Sequence, residues 1–115
     1  MPRPTRFYSN KQEKAVAKAI NGRQVANSGA PKFVAGDVTS GQFLIECKTH
    51  TQLRESFTIK REWIDKNIEE AFQMGKRYNA LAIDFGDGEN YYLINQRLFQ
   101  TLVNYLEEEN KWQQK

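Results

Sequence analysis

Residues 80–85, Ala-Leu-Ala-Ile-Asp-Phe, form an apolar run of strand length that stops at the turn signal Gly86-Asp87-Gly88. A run this short and this apolar reads as a strand buried on both faces. Such a strand needs strands beside it and helices above and below it, so an α/β layer structure is expected. The surrounding pattern supplies those neighbours. Ser9 or Asn10 can cap a helix to about Ile20, with Ala15, Val16, Ala19 and Ile20 at helical spacing, and Asn21-Gly22 ends it. A short strand at 23–26, a loop, a strand at 36–40 and the turn Ser40-Gly41 lead into an alternating strand at 42–48. After a polar loop at 49–57, a second helix is expected over 61–74, with Ile64, Ile68, Ala71 and Phe72 on one face and Gly75 closing it. The strand 89–94 follows, and Asn95 caps a last helix to about Glu109, with Leu98, Leu102, Val103 and Leu106 periodic. The expected whole is a central mixed β-sheet flanked by helices. At 115 residues the chain has length for one domain, 1–115, with a basic arm at 1–8 and a C-terminal helix at 96–115.

Composition removes several classes. Apolar residues make up 39% of the chain, enough for a core, so disorder is not the default. No apolar run reaches the eighteen or so residues of a membrane span. One cysteine excludes an internal disulfide, and with one histidine it argues against a structural zinc site. The N-terminus Met-Pro-Arg-Pro-Thr-Arg lacks the apolar stretch of a secretory signal, so a cytoplasmic protein is expected. Charge is divided unevenly. Residues 1–61 hold eleven Lys/Arg and four Asp/Glu, a balance of +7, while residues 62–115 carry −4. A basic first half attracts polyanions. The acids embedded in it, Glu13, Asp37 and Glu46 among them, call for a metal or another reason.

Strand 42–48 sharpens that point. Successive side chains alternate faces, so Phe43, Ile45 and Cys47 can enter a core, while Leu44, Glu46 and Lys48 share the other face. Asp37 comes close from the preceding strand. Two converging carboxylates make a hard-oxygen site for Mg²⁺. A lysine beside them can stabilise developing negative charge or orient a water. Together these are the minimum equipment for hydrolysing a phosphodiester. The bland alternatives are a turn role for Asp37 and a solvated Glu46–Lys48 pair.

Asp37…Glu46-x-Lys48 on a hairpin resembles the bipartite motif of the PD-(D/E)xK nuclease superfamily, and within it the small Holliday junction resolvases of archaeal type and their phage relatives. The similarity spans roughly residues 9–95, with Gly36 in place of the motif's proline. It implies a restriction-endonuclease-like fold and Mg²⁺-dependent cleavage of DNA, with Mn²⁺ as a possible substitute, leaving a 5′-phosphate and a 3′-hydroxyl. It also implies a homodimer acting on branched DNA and a phage origin. The carboxylates of Asp37 and Glu46 and the backbone carbonyl of Cys47 would hold the metal, Glu13 on the first helix would help complete the site, and Lys48 would activate water or stabilise the phosphate. The loop Asn27-Ser28-Gly29 resembles the family's Ser-Gly loop, which would bring Ser28 to the scissile region.

Arg3, Arg6, Lys11, Arg23, Lys32, Lys60 and Arg61 are the expected phosphate contacts, with Lys14 and Arg54 as further candidates. Such contacts position DNA without reading sequence. Asn10-x-x-Glu13 also has capping-box spacing, a competing role for Glu13. Gln73 is weighed as an assisting residue and more simply as a solvated one. His50 reads as a surface residue; Phe7, Tyr8, Trp63 and Tyr78 read as core before base-stacking. The C-terminal stripe or the strand 89–94 could form a dimer interface. The alternatives kept open are a nicking or restriction-type endonuclease for linear duplex and a non-catalytic DNA-binding module.

Overall fold

A computed structural model describes residues 4–25 and 37–113, with side chains to residue 110. The elements run α1 (Thr5–Ala19), β1 (Arg23–Gln24), β2 (Asp37–Ser40), β3 (Phe43–Thr49), α2 (Arg61–Gln73), β4 (Tyr78–Asp84), β5 (Asn90–Leu93) and α3 (Gln96–Gln113). They form an α/β structure around one five-stranded mixed sheet in the order β1-β2-β3-β4-β5. β3 and β4 are parallel and all other neighbours antiparallel. The parallel pair requires a crossover, which α2 supplies.

The alternation of β3 sorts the layers. Val16 of α1 packs on Val38, Ile45, Cys47, Ala80 and Ala82, which share one sheet face. Leu44 and Leu81 point the other way and are fully buried beneath α2, whose Asn67 and Ala71 face the sheet. The strand inferred from residues 80–85 is buried throughout from Ala80 to Asp84. Asp84 is not a stray charge there: its Oδ1 accepts from the backbone N–H of Gly86 and Gly88 and shapes the turn. Gly86 has φ +111, and a Cβ on it would meet the carbonyl oxygen of Gln52 at 2.4 Å, so only glycine fits.

Three expectations need correction. Of the face expected on α2 from Ile64, Ile68, Ala71 and Phe72, Ile68 and Phe72 are exposed, and Asn67 with Ala71 faces the sheet instead. α1 begins at Thr5, not at Ser9 or Asn10, so residues 5–8 are helical and not part of an arm. Pro4, with φ −58, lacks an N–H to satisfy, and its carbonyl accepts from Phe7 N at 2.9 Å, which starts the helix one turn early. Asn10 is therefore inside the helix, and the capping-box role for Glu13 is lost. The last helix does start at its expected cap, with Asn95 Oδ1 accepting from Leu98 N at 2.8 Å. Within α3, Leu98 is the one buried side chain among the described residues. No helix among the described residues is long and apolar enough to cross a membrane.

Candidate metal centre

Turn geometry sets the centre of the site. The tight turn at Gly41, with φ +55, fixes the β2–β3 register so that Asp37 lies directly opposite Glu46. Cross-strand partners share a face, so the two carboxylates converge under α2. Glu70 of α2 joins them: one oxygen from each of Asp37, Glu46 and Glu70 lies within 4.8 Å of the others. Glu46 is completely buried. Neither of its oxygens, nor Asp37 Oδ1 or Glu70 Oε1, has a hydrogen-bond donor among the described residues. A solvated Glu46 is thus excluded.

Three carboxylates so placed are electrostatically expensive. Two like charges about 4 Å apart repel by about 4 kcal/mol at an effective dielectric of 20. The titration of Asp37 reflects this. Burial, with added repulsion from Glu70 and Glu46, pushes it up to about 7, against a partial offset from Lys66. Burial also raises Glu46, opposed mainly by Lys48. Buried, mutually repelling carboxylate oxygens, offset only in part by Lys48 and Lys66, suit a divalent cation, whose charge would remove the remaining penalty.

Lys48 Nζ lies 3.5 Å from Glu46 Oε2 and 4.4 Å from the centroid of the Trp63 ring. The backbone of Lys48 is fixed from α1: Gln12 Nε2 is 3.0 Å from Lys48 O, 3.1 Å from Ala82 O and 3.0 Å from Asn90 Oδ1. Lys48 is partly exposed at the mouth of a cleft between α1 and α2 that Arg6, Glu13, Glu46, Trp63 and Lys66 also line. An acid pocket with an ammonium at its mouth can neutralise and orient a phosphate ester.

The other sequence candidates fall unevenly. Glu13 is buried on the cleft wall but outside the three-carboxylate group; its Oε1 accepts from Gln24 Nε2 at 3.1 Å, and burial raises its pKa. The Cys47 side chain packs in the core as its alternation required, and burial pushes its thiol up. Lys60 Nζ stands 5.9 Å from the Trp63 ring. Arg61 pairs weakly with Asp65 at 3.9 Å in solvent. Arg6 reaches the cleft, whereas Lys11 and Arg23 are exposed away from its lining. Gln73 is exposed beside Glu69, as its bland reading had it. Arg3, Ser28 and Lys32 lie outside the described residues. Glu70 escaped the sequence analysis. The signal was its place beside Ala71, an inward-facing position of the same helix.

No family model, curated protein or solved structure matches the chain.

Proposed function

We propose that the protein is a metal-dependent DNA endonuclease of the restriction-endonuclease-like fold, acting on branched DNA as a junction resolvase does. The observation that carries this reading is the fully buried Glu46 carboxylate, grouped with those of Asp37 and Glu70 within 4.8 Å and with Lys48 Nζ 3.5 Å from its Oε2. The fold reading draws support from the catalytic hairpin followed by a helix and a buried parallel strand. Asp37, Glu46 and Glu70 would hold the metal. A bound Mg²⁺ would polarise the scissile phosphate and lower the pKa of the attacking water. Lys48, steadied by Trp63, stabilises charge on the phosphate in the transition state. Glu13 on the cleft wall orients water.

Two copies would serve two strands of a junction. The apolar stripe of α3 suits that pairing. Phe99, Leu102, Val103 and Leu106 are all exposed. Antiparallel α3 helices crossing between residues 102 and 103 set Phe99 against Leu106 and Leu102 against Val103, a self-matching seam.

Mg²⁺-dependent cleavage of a labelled four-way junction, beside linear duplex and single strand, tests the reading with wild type and Asp37→Asn. Paired symmetric nicks on the junction, lost in the variant, are expected. Cutting of linear duplex alone would move the function to a nicking or restriction-type enzyme. Tight binding with no cleavage of any substrate would leave a DNA-binding module.

A further inference from the structure

Lys48 and Trp63 stand on the border of two clefts of unlike charge. On the metal side, α2 contributes Glu62, Asp65 and Glu69 to the rim, with Lys66 as its one cation. On the far side, the loop 50–60 shapes a groove of about 860 Å³ where Lys48, Arg54 and Lys60 face a single carboxylate, Glu55. A polyanion reaching the metal centre is repelled along α2 and drawn over this loop.

The groove is lined by the rings of His50, Phe57 and Trp63. Phe57 lies 4.3 Å from the His50 ring and 6.3 Å from Trp63, and Phe85, outside the groove, backs it at 5.8 Å. The loop contains neither helix nor strand, yet it is fastened down. His50 N donates to Asp84 O at 3.0 Å, Arg54 N donates to Phe85 O at 2.9 Å, and His50 Nε2 is 3.1 Å from Ser56 O. Gly86 admits the loop backbone at a distance no side chain would tolerate. The surface is thus formed in advance of any ligand, which lowers the ordering cost of binding.

We infer that the groove of loop 50–60 binds an unpaired DNA strand, with phosphates on Arg54 and Lys60 and bases against the Trp63–Phe57 rings, adjoining the scissile phosphate at Lys48. Rings interleaved with cations serve single strands because every unpaired base offers a π-face; a duplex keeps its bases stacked inside. The ligand class therefore includes the unstacked nucleotides of a branch point. This inference rests on the nuclease reading for the identity of the strand as DNA.

The test is made in chelator, so binding is read apart from cleavage. Trp112→Phe leaves Trp63 as the sole tryptophan. In that background, an eight-residue oligothymidylate should quench Trp63 and bind at least about tenfold tighter than a duplex of eight base pairs, because stacking contributes about 1–3 kcal/mol per base. Adding Arg54→Ala and Lys60→Ala, both exposed positions, should weaken binding at least about tenfold and reduce the salt slope by about 1.4, for two phosphate contacts at about 0.7 each. Unchanged Trp63 fluorescence, preference for duplex, or undiminished binding by the double variant would overturn the inference. Junction cleavage without single-strand binding would leave the nuclease reading intact; single-strand binding without any cleavage would do the reverse.

Discussion

The Lys48 ammonium sits 4.4 Å from the centroid of the Trp63 ring. β3 delivers the lysine and α2 the ring, so the crossover between them controls where the ammonium stands. A cation–π contact of this kind contributes about 0.5–2 kcal/mol. Trp63→Leu should therefore lower kcat for junction cleavage by about 2- to 30-fold, with Trp63→Phe restoring much of the loss. If Trp63→Leu and Trp63→Phe cut equally fast, the ring does not position the lysine.

Asp37 links the site to stability. In the unfolded chain it ionises near 3.8; in the folded, metal-free protein burial and the neighbouring carboxylates raise it to about 7. Between those values the unfolded chain has lost a proton that the folded chain keeps. Metal-free stability should then fall as pH rises from about 4 to 7 and level off above. Asp37→Asn removes the penalty. Calorimetry at pH 8 without metal should show its Tm raised by roughly 5 °C, while Mg²⁺-dependent cleavage drops by about 10²- to 10³-fold or more. A variant both less stable than wild type at pH 8 and fully active would sink the site.

Metal affinity should run the opposite way with pH. Binding needs the deprotonated carboxylate, so Mg²⁺ affinity measured by titration calorimetry should strengthen from pH 6 to pH 8 and release a proton. A flat profile would show that Asp37 is not a ligand.

Glu70→Gln should weaken Mg²⁺ binding by at least about tenfold, whereas Gln73→Ala should leave it unchanged. The same titration on both variants separates the half-buried carboxylate, whose Oε1 is shielded from solvent, from the solvated amide one turn away.

The α3 seam can be broken without touching the site. Leu102→Asp with Leu106→Asp should give a monomer by light scattering, with the melting of the sheet core unaltered, since both residues are exposed. A dimer that survives the pair of charges does not form through this helix.

Much of this was legible in local signals. The Ser40-Gly41 turn and the alternation of residues 42–48 told in advance which residues would share a face with Glu46, and the turn-bounded apolar run told which strand would be buried on both faces. Glu70 was not legible, because Glu69-Glu70 looks like any solvated acidic pair until α2 is docked on the sheet. Its partial burial is a property of the crossover, not of the helix. The start of α1 was missed because Ser9 and Asn10 carry strong capping chemistry. In the fold Ser9 Oγ instead bonds back to Thr5 O at 3.4 Å within the helix.

The Gln12 amide, shared among the Lys48 carbonyl, the Ala82 carbonyl and the Asn90 side chain, makes α1 and three strands one cooperative unit. Loosening the helix strands polar groups of β3, β4 and β5 at once, so no low-energy opening exposes one alone. Native-state hydrogen exchange should find the core amides of α1 and those of β3 and β4 opening with one common free energy. The strand that carries Glu46 and Lys48 would then hold its place in the cleft wall until the molecule unfolds as a whole.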